Sequence, residues 1–315
     1  MGLPCTLTRR SARPLDLCHA TTETADSMKI RSLLALLPVK RFRNPPPRVA
    51  VIRLFGIIGR LDLLRRGLAL SSLAGVLERA FELPDLKAVA LAVNSPGGSP
   101  VQSALIARRI RALAAEHEVP VFAFAEDVAA SGGYWLLTAA DEIFADESSI
   151  IGSIGVVTAG FGFPDLLKRL GIERRVHVSG RHKAALDPFR PEDADEVEHL
   201  KALQEDIHET FRRQVRQRRG DKLKASEDDL FSGRFWDGGK ALELGLIDGL
   251  GDLRSVMRER YGDDVKLQVV EDGKPWWRRR LGLSGSLLGG RDPGNWAGEM
   301  ITAVEDRMMW SRFGL

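Results

Sequence analysis

Four short apolar runs limit what this chain can fold into: "RVAVIRL" from Arg48, "AVALAVN" from Ala88, "PVFAFAE" from Pro120 and "DEIFAD" from Asp141. They are rich in valine, isoleucine and phenylalanine and nearly continuous rather than alternating, so each needs cover on both faces. The segments between them, such as "SSLAGVLERAFEL" and "QSALIARRIRALAAEHE", repeat their apolar residues at helical spacing and can supply that cover. Strand–helix–strand alternation of this kind predicts an α/β fold, a mostly parallel sheet in repeated βαβ units with flanking helices. Functional loops then lie at the carboxyl ends of the strands. A further run, "RRVHV" over 174–178, reads as another strand.

The domain so predicted spans 48–271. Residues 1–47 read as a tail and proline-rich linker, because "MGLPCTLTRRSARPLDLCHATTETADS" has no apolar period and the next stretch ends in "RFRNPPPR". Met28 is an alternative start. The apolar run Leu33–Val39 is far shorter than the ~20 residues of a membrane span, and it is broken by Pro38, followed by basic residues and without a small-residue cleavage site. Cys5 and Cys18, the two cysteines, both fall in this tail, so no disulfide framework or cysteine-type metal site is expected in the core. A formal charge of +3, from 46 basic and 43 acidic residues, gives no reason to expect a nucleic-acid partner. Residues 272–315 form a second tail, which holds Trp276, Trp277, Trp296 and Trp310. Its "WWRRR" pairs interfacial aromatics with cations, as a peripheral membrane contact would. Ile301, Val304 and Met308 stand at helical spacing and favour a packed helix instead.

Two strand-end loops carry candidate chemistry. In "AEDVAASGGYW", Ser131 sits where a strand gives way to a helix, between small residues. It reads first as a helix N-cap and second as a nucleophile, since glycines let a substrate approach the backbone. In "NSPGGSP", Pro96, Gly97 and Gly98 suit a tight turn, and equally an amide of Gly98 aimed at a developing oxyanion. The amide of Gly132 is the natural second donor, because neighbouring parallel strands bring their carboxyl-end loops together. Two amides and one hydroxyl would make an acyl-transfer site.

A serine nucleophile needs a base. His117, His177, His199 and His208 fall on apparent helix faces, helix ends or a strand and read as solvated. The segment "VHVSGRHKAALDPFRP" turns at Gly180 and presents Arg181, His182 and Lys183. Either His182 or Lys183 can serve as a base, and a solvated loop is the plainer reading of both.

The motifs "NSPGGSP", "AEDVAASGGYW", "IIGSIGVV", "GRHKAALDPFRP" and "GRFWDGGKALELGLIDGLG" together resemble, in order and spacing, the signal peptide peptidase A (protease IV) family of the Clp protease/crotonase superfold. The resemblance covers about Arg48 to Val270, and the serine-to-lysine spacing is that of the short, single-domain bacterial forms. It implies a serine endopeptidase acting on signal-peptide remnants or other extended apolar polypeptides, without cofactor or metal. Ser131 matches the nucleophile, Lys183 the general base, Gly98 and Gly132 the oxyanion donors, and Ser153 a serine that orients the lysine. His182 has no counterpart role, since the family uses a Ser-Lys dyad. The resemblance further implies a homo-oligomeric ring in which neighbouring protomers share the dyad, and a bacterial protein, cytoplasmic or peripherally associated with a membrane. Many family members carry an N-terminal anchor for which no transmembrane helix is visible here. The competing readings are a crotonase-like acyl-CoA enzyme, which has no use for both the serine and the lysine, and a catalytically silent scaffold of the same fold.

Overall fold

A computed structural model describes residues 46–59, 67–271, 304 and 307–314. Of the tail read over 1–47, residues 1–45, with Met28 and both cysteines, lie outside these residues, as do Trp276, Trp277, Trp296 and Ile301. From Pro47 onward the described residues form one compact unit.

The predicted alternation is present. Strands β1 (Arg48–Phe55), β2 (Leu86–Ser95) and β3 (Val121–Ala130) are the long members of the sheet, with helices α1 (Leu70–Phe81) and α2 (Pro100–His117) between them. Short elements follow: α3 (Gly132–Leu137), β4 (Glu142–Ala145), β5 (Ile150–Gly152) and α4 (Pro164–Arg169). Next come the long α5 (Ala194–Arg219), then α6 (Glu227–Leu230), β6 (Phe235–Trp236) and α7 (Gly238–Glu243). The strands β7 (Gly249–Leu250) and β8 (Lys266–Val269) flank α8 (Leu253–Tyr261). The sheet runs in the order β6-β5-β3-β2-β1-β8, with β4 and β7 branching from β3. All pairings are parallel except that of β5 with β6. This is the mostly parallel α/β architecture that the alternation and the family resemblance both predict.

The continuous apolar character of the strands follows from their double cover. Alternate residues Ala50, Ile52, Leu54, Val89, Leu91, Val93, Val121 and Ala123 face α1 and α2, where Leu73, Leu77, Ile106 and Ile110 are buried at helical spacing. Their neighbours Val49, Val51, Ala88, Ala90, Phe122 and Phe124 face Val256 and Met257 of α8. Helix α2 begins where it does because Ser99 accepts a hydrogen bond from the Gln102 amide and Pro100 occupies the first turn.

The branching of β3 places the functional loops. Its first half, Phe122–Ala125, pairs with β4, and its last residues, Val128–Ala130, pair with β5. Between them Glu126 and Asp127 face out, and the Asn94 side chain reaches across from β2 to bond Asp127 Oδ2 and the Val128 amide. The β2–β3 register shifts at this point. Carried past the shift, the end of β3 lies beside both the β2–α2 turn and the end of β5.

One predicted strand is absent. Residues 172–178, which include "RRVHV", have no regular structure, and Val176 and Val178 are about half exposed. A β-run forms a strand only when another edge accepts its backbone bonds, and no described strand pairs with this one. The chain after Lys183 forms the long α5, whose apolar residues divide into a buried and an exposed set. Phe211 is buried and stacks on Trp135 of α3 with ring centroids 4.7 Å apart, whereas Leu203, further toward the start of the helix, is 50% exposed. Removing the buried part of this contact should be costly: Phe211→Ala is expected to lower unfolding free energy by ~3–5 kcal/mol, measured by chemical denaturation, while Leu203→Ala changes it by well under about 1 kcal/mol in the monomer.

Candidate active site

Ser131 occupies the N-cap position of α3 but does not act as a cap. Its hydroxyl makes no capping hydrogen bond, and its backbone has φ 52° and ψ −120° instead of the extended conformation of a capping residue. Ser99, Ser226, Asp193, Asp237 and Asp252 show the contrast, since each accepts from an amide of the helix it precedes. A positive φ at a serine costs about 1–3 kcal/mol and persists only where the surroundings fix it. Here the Ser131 amide donates to Gly152 O at 2.8 Å, and Ser131 O accepts from Trp135 N at 3.0 Å. The half-buried side chain is thereby held at a sharp strand-to-helix turn with its oxygen uncommitted among the described residues.

The glycine turn is pressed against this serine. A Cβ on Gly97 would lie 2.9 Å from Ser131 Cβ and 3.1 Å from Gly132 N, and one on Gly98 would lie 2.1 Å from Ile58 O. A Cβ on Gly132 would meet Ser103 Oγ at 2.5 Å and Gly98 N at 3.4 Å. No side chain fits between the two loops, and Gly97 and Gly98 adopt φ of 111° and 138°. The same contacts orient the amides. Ile58 donates to Gly97 O and accepts from Ser99 N, the pattern of a parallel bridge, which turns the intervening Gly98 amide away from Ile58. Gly132 opens α3, whose first amides have no partner within the helix. Two N–H groups and the Ser131 hydroxyl are thus gathered on adjoining loops, a geometry suited to a tetrahedral oxyanion.

Ser153 lies at the end of β5, in the segment whose Gly152 holds the Ser131 amide. It too has a positive φ, 53°, and is only 7% exposed; its amide donates to Arg234 O at 2.7 Å, and its hydroxyl has no hydrogen-bond partner among the described residues. The structure therefore brings Ser131, Ser153, Gly98 and Gly132 to the ends of three neighbouring strands.

Lys183 is not with them. It stands exposed in the turn 180–186, and its ammonium makes no hydrogen bond or ion pair among the described residues. His182 shares the same exposed turn. Both belong to a long segment between β5 and α5 whose only regular element is α4, and which exposes Val157, Phe161, Leu166, Leu170, Ile172 and Val178 by half or more.

His208, read from sequence as solvated, has specific partners. It is half-buried on α5, its Nε2 lies 3.1 Å from Ile154 O, and its Nδ1 lies 2.9 Å from Nη2 of Arg212. Burial foremost, then the Arg212 guanidinium, holds its pKa below the ordinary imidazole value. Nothing in the sequence marks it, because one contact is to a backbone carbonyl from a distant part of the chain.

Among the described residues no helix is long and apolar enough to cross a membrane. Residues 114–267 match the model of peptidase family S49. A putative protease of Methanocaldococcus jannaschii is 31% identical over 222 residues, covering 70% of this chain and 70% of that protein. A putative signal peptide peptidase SppA of Enterococcus faecium is 33% identical over 228 residues, covering 71% of this chain and 63% of that protein. A Brucella abortus protein named Na(+)/H(+) antiporter NhaA is 49% identical over 311 residues, 95% of this chain, but the chain spans only 42% of its length. The antiporter name belongs to that longer protein and is not carried over to this chain.

The close approach of the loops is directly testable. Gly132→Ala is expected to lower the thermal unfolding midpoint and the activity together, and adding Ser103→Ala, which removes the oxygen nearest the new methyl group, should recover part of the midpoint. A Gly132→Ala protein as stable as the parent would contradict this packing.

Proposed function

The chain belongs to peptidase family S49, and on that premise we propose that it is a serine endopeptidase in which Ser131 is the nucleophile and Lys183 the general base. The observation that carries this reading is a serine at a helix start that forgoes its capping bond, in a strained backbone conformation, beside the amides of Gly98 and Gly132. Strain of that kind is retained where function requires it. A capping serine has no need of it.

In this reading the neutral amine of Lys183 takes the Ser131 proton as Oγ attacks a peptide carbonyl, and the amides of Gly98 and Gly132 bind the resulting oxyanion. The lysine then gives its proton to the leaving amine. A water, deprotonated in the same way, attacks the acyl-enzyme and releases the second product. Ser153 orients the lysine. The substrates are extended apolar polypeptides, of which signal-peptide remnants are one class.

The exposed position of Lys183 supports a dyad assembled between protomers. The segment that carries it exposes apolar side chains along much of its length, and exposed apolar side chains in such number favour an interaction site. A ring of copies of this chain would cover that surface and bring each lysine to a neighbour's serine. Burial of an ammonium against a neighbouring subunit also favours the neutral amine, the form able to take a proton.

Three variants test the assignment. Ser131→Ala should lower kcat/KM on an unstructured protein substrate by at least about a thousandfold without loss of folding, since replacing even a true cap costs only ~1 kcal/mol. Lys183→Arg should be equally inactive, because a guanidinium keeps its proton. Co-assembly of Ser131→Ala with Lys183→Ala protomers should return activity to those sites where an intact serine meets an intact lysine. Rings shown by native mass spectrometry to be mixed, yet inactive, would place both dyad members in one chain.

A further inference from the structure

We infer that His208 is a positioning residue: from α5 it holds the Ile154 carbonyl and thereby keeps Ser153 in the backbone conformation that the proposed lysine requires. This rests on the Ser131–Lys183 reading above and adds to it a residue on a different element.

The tripeptide Gly152–Ser153–Ile154 joins the end of β5 to the segment that carries Lys183. Each of its members shares a hydrogen bond with a different part of the chain. Gly152 O accepts from the Ser131 amide at 2.8 Å, the Ser153 amide donates to Arg234 O at 2.7 Å, and Ile154 O faces His208 Nε2 at 3.1 Å. Between these three anchors Ser153 adopts φ 53°, a conformation that a residue other than glycine leaves when its surroundings allow it. The anchor on the nucleophile side and the anchor at Arg234 both precede the Ser153 α-carbon. After the Ser153 α-carbon the chain is held by the contact from His208 to the Ile154 carbonyl and by the buried Ile154 side chain, and the first of these is the hydrogen bond that the described residues supply there.

The partners of His208 settle which nitrogen carries its proton. Arg212 can only donate, so Nδ1, 2.9 Å from Nη2, must accept. In the neutral ring the proton is then on Nε2, the nitrogen that faces Ile154 O. Arg212 is in turn held by Glu205 at 2.8 Å. The charged groups that bear on the imidazole are Arg212, Glu205 and Glu209, all on α5, while Ser153 and Ile154 bring no charge from the other side. Burial first, and Arg212 second, favour the neutral ring, in which the two nitrogens keep opposite roles. The helix that carries His208 also bears Phe211, stacked on Trp135 one turn beyond the nucleophile. Helix α5 therefore contacts α3, the helix that Ser131 precedes, through an aromatic pair and the Ser153 turn through a hydrogen bond.

The test compares His208→Phe, which keeps a ring but loses both nitrogens, with His208→Gln, whose amide can donate to Ile154 O. In the assembled protein His208→Phe is expected to lower kcat roughly ten- to hundredfold with little change in KM, and to displace the ascending limb of the kcat/KM pH profile that reports the base. It should also speed amide hydrogen exchange in the peptide spanning residues 150–157, while exchange in the buried second half of α5 stays as in the parent. His208→Gln should restore most of the rate, the limb and the protection. Parent-like kinetics and exchange in His208→Phe would overturn the inference. So would a loss that glutamine does not repair, accompanied by faster exchange throughout α5, since that is the signature of general packing. Should Ser131→Ala retain hydrolysis, the dyad reading falls. The exchange measurement then still decides whether His208 fixes the Ser153 turn.

Discussion

The contact between two turns, Gly97–Gly98 after β2 and Ser131–Gly132 after β3, governs the arrangement of the rest of the site. A Cβ at Gly97 would press on Ser131 and the Gly132 amide, one at Gly98 on the Ile58 backbone and one at Gly132 on the Ser103 hydroxyl, so none of the three has room for a side chain. Because the strands are parallel neighbours, their carboxyl ends arrive on the same side of the sheet, and Ile58 locks the first turn by bonding the residues on either side of Gly98. The reversed backbone at Ser131 is then supported from both directions, by the glycine turn on one side and by Gly152 of β5 on the other. Strain at the serine is tolerated because a large buried core fixes the strands that carry it.

The elements that do not touch this contact serve to hold it. Tyr134 of α3 is fully buried and donates to Leu246 O, and Arg219, 3% exposed at the end of α5, bonds Gly245 O and Asp248. Asp248 accepts in turn from the Ile143 amide at the start of β4. These bonds tie the helix behind Ser131 to the chain that follows α7. A buried guanidinium with its carboxylate and carbonyl partners satisfied adds direction to packing that the apolar core alone leaves less defined. Beyond Ile154 the outward segment that bears Lys183 has no such ties among the described residues, and its ion pairs, Arg174 with Asp187, Arg175 with Glu173 and Arg190 with Glu196, are internal to it or to the start of α5.

Much of this was legible in the sequence because it follows from local pattern. The runs at Arg48, Ala88, Pro120 and Asp141 became β1 to β4, since an apolar run flanked by helical periodicity has few other solutions. The glycines of "NSPGGSP" and "ASGGYW" announced a close backbone approach, and the structure supplies it. What sequence left ambiguous was the role of Ser131, because a cap and a nucleophile occupy the same position and differ only in backbone conformation. What it misread has a common cause. The "RRVHV" run has strand composition without a described strand beside it, and His208 contacts a carbonyl 54 residues away. Neither a missing partner nor a contact between distant segments is written in local periodicity.

The most direct measurement is active-site labelling with a fluorophosphonate, followed by peptide mapping. Such a reagent reacts with a serine whose hydroxyl is activated and which lies beside an oxyanion site. A single adduct on Ser131, absent from the Lys183→Ala protein and never found on Ser153, is the predicted result. An unlabelled protein in its assembled state, or an adduct on Ser153 in place of Ser131, would contradict it.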